Sequence, residues 1–287
     1  MNDGEPMDFD GYWSAVDEEL AAIPARPVLD LVPARTTDEA TSYTVRLTST
    51  GPYRVFGQLS IPAGDGPFPA LLRTPRYGSV NDMPHPNDRS RYVVFGLTHR
   101  GQRLADEGFS AAYPGLLTMG IDDPASYIYR GIAADCLRAA EFLMSLEEVD
   151  PARVAVSGDD LALLTAARRP GFSAVRLSEL LFYRAAEARL KSSHYPLEEL
   201  NDHLRAGSSA QIVGNTLASF DPVRHASAVT ARTLLAVDDP DWCAALVEAL
   251  PAASVYKLTH LDGTDNDFLD AWLAELSGVP PMSKFLV

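Results

Sequence analysis

Residues Val154 to Leu164, read in order as Val-Ala-Val-Ser-Gly-Asp-Asp-Leu-Ala-Leu-Leu, pass from a short apolar run through a tight turn into an apolar helical pattern. That is the layout of a nucleophile elbow, which holds one side chain on a strained strand-to-helix corner. Small residues two positions before and after that side chain let helix and strand pack closely. Gly158 and Ala162 are the small residues, and Asp160 stands between them where the usual Gly-x-Ser-x-Gly pattern has serine. A serine hydroxyl attacks an ester carbonyl once a histidine has taken its proton. A carboxylate is a weaker nucleophile toward an ester, and its attack would give a mixed anhydride. Three roles for Asp160 therefore stay open. It can attack a saturated carbon, with a histidine activating the water that frees the product. It can share protons with a histidine, as a lyase or cyclase requires. Or it can be a silent polar residue at the floor of a ligand pocket. Ser157 lies three residues earlier, at the strand end below the corner, and is a poor substitute nucleophile.

An acid after a later strand and a histidine after the last strand would complete such a site. Asp238-Asp239-Pro240-Asp241 follows the apolar run Thr233 to Val237, and His260 follows Ser254 to Leu258. Asp239 is the nearest candidate for the acid, with Asp238 and Asp241 competing for the same role. His99, beside Arg100-Gly101-Gln102, is the second histidine candidate. His85, His194, His203 and His225 read as exposed or structural, and no metal-ligand spacing is present. Cys136 and Cys243 are too few for a disulfide framework and read as core residues.

The elements that must position these residues follow from the apolar pattern. Trp13, Val16, Leu20 and Ile23 share one face of a helix within an N-terminal arm, residues 1–40, ahead of the breaker Pro24-Ala25-Arg26-Pro27. Tyr43 to Thr48 and Tyr53 to Ile61 alternate around a Gly-Pro turn, which predicts an antiparallel hairpin at a sheet edge. Continuous apolar runs at Phe68–Leu72, Tyr92–Leu97, Arg153–Ser157, Ala174–Leu177, Thr233–Val237 and Ser254–Leu258 predict strands covered on both faces. With the helical stripe Ile132, Cys136, Leu137, Ala140 and Leu143 between the second and third, they make an α/β architecture, a mostly parallel sheet with helices on both faces. Residues 178–228 form a largely helical insertion carrying Leu181, Phe182, Leu190, Tyr195, Leu200 and Leu204.

The 287 residues suit one large α/β domain spanning 1–287. A net charge of −15 disfavours nucleic acid and anionic membrane surfaces as partners and leaves a small molecule as the expected one. The start lacks the basic and apolar segments of a signal peptide, and no run is long and apolar enough to span a bilayer, so the expected compartment is cytoplasmic.

Taken together, the chain resembles the acetyl xylan esterase and cephalosporin C deacetylase family of α/β-hydrolases from about Tyr12 to Leu273. The resemblance rests on Phe68-Pro69-Ala70 leading to Tyr77-Gly78, on His99-Arg100-Gly101-Gln102, and on Gly120-Ile121-Asp122-Asp123 with Tyr127-Ile128-Tyr129-Arg130. It continues through Asp135, Glu148-Val149-Asp150 with Arg153-Val154-Ala155-Val156, Tyr195-Pro196-Leu197-Glu198-Glu199, Thr216-Leu217 with Phe220-Asp221, and His260. It implies an α/β-hydrolase fold, an activity on acetylated sugars or similar small acetyl esters, no metal or organic cofactor, a lid formed by 178–228, and a homo-oligomer. By position it makes Tyr77 and Leu161 the oxyanion-hole residues through their backbone N–H groups. It also makes His260 the general base, Asp239 its orienting acid, and Asp160 the occupant of the nucleophile's place. The family's elbow, roughly Gly-Gly-Ser-Gln-Gly-Gly, is here Gly158-Asp159-Asp160-Leu161-Ala162-Leu163, and Pro240 alone stands for the paired prolines near the acid. Arg73-Thr74-Pro75-Arg76-Tyr77 looks more like the oxyanion segment of X-prolyl dipeptidyl peptidase and cocaine esterase relatives.

Overall fold

The computed structural model describes residues 8–80 and 83–283. The N-terminal arm is helix α1 (Phe9–Ala21), begun by the Asp8 carboxylate accepting the Gly11 N–H at 3.0 Å and seated by the buried side chains of Trp13, Val16 and Leu20. Strand β1 (Val28–Leu31) then leads to the hairpin β2 (Ala40–Thr48) and β3 (Arg54–Pro62). Strand β4 (Phe68–Arg73), the short α2 (Pro86–Arg89), β5 (Val93–Thr98), the long α3 (Ile128–Met144), β6 (Val149–Gly158) and α4 (Asp160–Arg168) follow. Beyond β7 (Phe172–Ser178) come four helices, α5 (Ala185–Ala188), α6 (Leu197–Arg205), α7 (Ala210–Ala218) and α8 (Pro222–Ala226). The chain returns to the sheet as β8 (Arg232–Val237), α9 (Ala244–Ala249) and β9 (Ala253–Lys257), and ends in α10 (Asp262–Ser277).

These strands form one sheet in the order β1-β2-β3-β5-β4-β6-β7-β8-β9. Pairing is antiparallel from β1 to β5 and parallel from β5 through β9. The six apolar runs all became strands; five are largely buried, whereas β9 lies at the sheet's edge with most of its residues exposed and is not covered on both faces as expected. The hairpin is not the sheet's edge, however: β1 adds outside β2 with all four of its residues exposed, so no burial pattern marked it in the sequence.

One face of the sheet carries the larger core, packed by α1, α3, α4 and α8; the other carries a small cluster of Leu71, Tyr92, Val94, Ala155 and Ala174 against Leu273 of α10. Within the insertion, α8 packs on α4, and the Trp13 indole N–H donates to the Ser219 carbonyl at 3.1 Å. Part of the insertion thus belongs to the body, and Pro196 and Leu197 at the start of α6 reach a cavity above the elbow. Among the described residues, no helix is long and apolar enough to cross a membrane.

Candidate functional site

At the corner between β6 and α4, the sequence requirement for small residues has a direct cause. A Cβ on Gly158 would collide with the Thr74 hydroxyl, and Ala162 is fully buried beneath it. The expected strain is missing, because none of residues 158–164 takes a positive φ. Asp159 is extended, with φ −95°, and its side chain caps α4 by accepting the Leu161 N–H at 2.9 Å. The aspartate thereby turns a strained elbow into an ordinary helix start.

The two neighbouring carboxyls have different surroundings. Asp159 lies at the floor of a cavity of about 300 Å³, whose walls are chiefly Tyr77, Leu180, Leu181, Pro196 and Leu197. Arg76 and Glu179, ion-paired at 3.3 Å, close one side. Burial pushes the Asp159 carboxyl up to about 7, partly opposed by the Leu161 N–H and by the charge of Arg76. Asp160, by contrast, is 1% exposed and does not line the cavity. Its Oδ2 accepts the backbone N–H groups of Leu181 and Phe182, the latter at 2.9 Å, while Oδ1 is buried with no partner among the described residues. Burial first, and then the charge of Asp159, raise the Asp160 carboxyl well above the usual carboxylate range, which favours its protonated form. The side chain is thus sealed from the cavity that Asp159 lines.

Leu161 cannot serve as a free oxyanion donor while its N–H is held by Asp159. Tyr77 lines the cavity, and its hydroxyl donates to Glu199, which also accepts the Leu117 N–H at 2.9 Å. His260 sits at φ 60° on the loop after β9, its backbone N–H donating to Asp265 at 3.0 Å. Its side chain is 73% exposed, and Nε2 stands 3.2 Å from Asp238 rather than Asp239. Asp239 instead accepts the Asp241 and Trp242 N–H groups at 3.1 and 3.2 Å, because the Pro240 turn folds the backbone back over that carboxylate. Among the described residues, no hydrogen bond or ion pair joins His260 to Asp160.

The segment Glu179–Leu180 lines both the Asp159 cavity and a second one, of about 210 Å³, beside Asp238, Asp239 and Trp242. The site proposed from sequence is therefore divided into a buried Asp160, a cavity with Asp159 and Tyr77, and a surface pair of His260 and Asp238. Asp159 and Glu199 were missed in the sequence; the only signal for Asp159 was that an aspartate before a helix start is a preferred cap.

Two other histidines, both buried, have structural partners. His99 is buried, with Nδ1–H donating to the Arg100 carbonyl at 2.6 Å and Nε2 accepting from the Tyr113 hydroxyl at 3.1 Å; burial pushes it down to about 4. His225 bonds the Ser219 carbonyl at 2.9 Å, lies edge-on to Trp13, and is likewise lowered by burial to about 4. Among the described residues, no cluster of three or more potential ligands could hold a metal ion.

The family model described as "Acetyl xylan esterase (AXE1)" matches residues 1–245. The chain belongs to the acetyl xylan esterase family. The match includes Tyr77, Asp160 and Asp239 and ends before His260. A curated member of similar sequence is acetyl esterase Axe7A of Xylanibacter ruminicola, 27% identical over 186 residues. That stretch covers 59% of this chain and 42% of Axe7A, so the chain spans less than half the length of this relative. The acetyl xylan esterase from Paenibacillus sp. R4 superposes with a TM-score of 0.80 at 25% identity, over 92% of this chain and 94% of that one. Acetyl xylan esterase 1 from Thermoanaerobacterium sp. JW/SL YS485 gives a TM-score of 0.81 at 22% identity, over 96% and 95%. The architecture of this family member is thus the α/β-hydrolase fold seen in those enzymes.

Proposed function

We propose that this member of the acetyl xylan esterase family binds a small acylated ligand, of the kind its relatives are named for, in the cavity above Asp159 without forming an acyl-enzyme. The observation that carries the reading is the Asp159 carboxylate on the Leu161 N–H at 2.9 Å. An ester can be activated at this corner only if that amide is free to meet a developing oxyanion. A cavity of about 300 Å³ with apolar walls, and with Tyr77, Asp159, Arg76 and Glu179 as its polar residues, suits a ligand that inserts a short acyl group and leaves its polar part at the charged side. Covalent chemistry by Asp160, with His260 as base and Asp239 as its orienting acid, draws no support from a sealed carboxyl and an exposed imidazole.

The test pairs two measurements on the purified protein. Hydrolysis of p-nitrophenyl acetate stays at the buffer rate, and acetylated xylo-oligosaccharides raise the melting temperature of the wild type but not of Leu197→Trp, which fills the cavity. Turnover at the rate of a serine esterase would overturn the reading.

A second reading has its own observation, the Asp159 carboxyl at about 7 in the cavity floor. A group poised near neutral pH can exchange a proton with a bound ligand, which is lyase or cyclase chemistry with Asp159 in the role expected of Asp160. NMR of the same oligosaccharides after incubation distinguishes the two readings: new species that vanish with Asp159→Asn favour proton transfer, and unchanged spectra favour binding alone.

A further inference from the structure

On the α10 face of the sheet, three parallel strands carry a basic row just beyond their apolar cluster. Leu71, Ala155 and Ala174 are cross-strand neighbours packed against Leu273. Two residues further along each strand, on the same face by the period of the pleat, stand Arg73, Ser157 and Arg176, again in register. They end at a cavity of about 170 Å³ completed by Thr74, Arg76 and Ser79. That volume is many times the roughly 10–15 Å³ one water requires.

The row is out of keeping with a chain of net charge −15. Arg176 makes no salt bridge among the described residues. Its Nε–H donates to the Ser157 hydroxyl at 3.1 Å, and its Nη1 reaches the Leu269 carbonyl at 3.4 Å. The acids that act on it electrostatically, Asp88 and Asp270, are committed to Arg91 at 3.6 and 2.5 Å. Burial and the charge of Arg73 both act to lower the affinity of Arg176 for its proton, opposed by those two acids. Arg76 spends one nitrogen on Ser178 at 2.7 Å and another on Glu179 at the exposed side. Among the described residues, Arg176 is thus a half-buried guanidinium whose hydrogen bonds go to a hydroxyl and a carbonyl rather than to a carboxylate.

We propose that this cavity binds a tetrahedral oxyanion of the phosphate class, with Arg176 and Arg76 supplying the charge and the Ser157 and Ser79 hydroxyls the neutral hydrogen bonds. Guanidinium forks match such oxyanions in geometry as well as charge. Arg76 also borders the apolar cavity above Asp159, so the anion can be free phosphate or the phosphate of an ester whose organic part lies on that side. The inference does not depend on the reading of the apolar cavity.

Isothermal titration of the full chain with inorganic phosphate and with phenyl phosphate, at ionic strength matched by chloride, tests it. Saturable one-site binding of at least one probe is expected, weakened about tenfold or more in Arg176→Met and less in Arg176→Lys, which keeps the charge but not the fork. Glu179→Gln, which frees Arg76, strengthens binding. Tighter binding of phenyl phosphate identifies an ester as the source, and equal or weaker binding identifies the free ion. No saturable heat with either probe overturns the proposal, as does unchanged affinity in a folded Arg176→Met. Should that variant lose its native circular dichroism, the exposed-side variants Arg76→Gln, weaker, and Glu179→Gln, stronger, decide the matter, and unchanged affinity in both overturns it.

Discussion

The Asp159 carboxylate lies 2.9 Å from the Leu161 backbone nitrogen and takes the hydrogen bond that an oxyanion would otherwise receive. Replacing Asp160 by serine alone therefore leaves p-nitrophenyl acetate hydrolysis at the background rate. Asp159→Gly with Asp160→Ser removes the internal acceptor as well, and the initial rate rises by up to about 10²-fold, the scale of one oxyanion donor. A single Asp160→Ser variant with the activity of a serine esterase would mean that the amide is free in solution.

Asp160 is a buried acceptor of two backbone N–H groups, its carboxyl raised by burial well above the ordinary value, and that predicts which substitution hurts. Asparagine keeps an oxygen facing Leu181 and Phe182 and carries no charge, so Asp160→Asn unfolds in urea within about 1 kcal/mol of the wild type at pH 7. Alanine leaves both amides without a partner and costs about 2 kcal/mol or more. A cost for Asp160→Asn as large as that for alanine would point to an ionised Asp160 and reopen its use as a nucleophile.

Stability should carry the signature of Asp159 between pH 4 and 7. Its folded carboxyl is raised from 3.8 to about 7, so in that window the folded state keeps a proton that the unfolded chain has released. Its contribution is fully present below the unfolded value, falls as pH climbs toward 7, and is level above. His99 and His225, lowered from 6.5 to about 4, slope the other way, losing stability as pH falls. Both histidines remain in Asp159→Asn, so subtracting that variant's urea stability from the wild type's, pH by pH, isolates the carboxyl. A flat difference would place Asp159 in water rather than in the cavity floor.

The parallel strands were legible because continuous apolar runs have few other uses in a chain of this size. Phe68–Leu72 and Thr233–Val237 emerged nearly unchanged as β4 and β8. Strand β6 begins at Val149, earlier than the apolar run from Arg153, because Asp150, Pro151 and Ala152 break the apolar pattern by which the run was read. The corner after β6 was equally legible, but not which of two adjacent aspartates would turn into the cavity. That choice rests on cap geometry: Asp159 reaches forward to Leu161, which sends Asp160 beneath Leu181 and Phe182. The position of His260 in the chain was likewise readable, whereas its outward direction comes from φ 60° and from Asp265 holding its backbone.

The motif His99-Arg100-Gly101-Gln102, second candidate for chemistry in the sequence, is a brace for the loop that carries Tyr77. Arg100 donates from Nε and Nη2 to Asp135 at 3.0 and 2.6 Å and lies over the Tyr53 ring, while Gln102 donates to the Ser79 carbonyl at 2.6 Å. Asp135 is fully buried, so Asp135→Ala strands a guanidinium inside the protein and costs about 3–5 kcal/mol in urea unfolding. Replacing both partners, Arg100→Met with Asp135→Leu, removes the unpaired charge and recovers much of that loss. If the double variant were no more stable than Asp135→Ala, the pair's value would lie in its hydrogen bonds to Thr50 and the Arg100 backbone rather than in neutralising a buried charge.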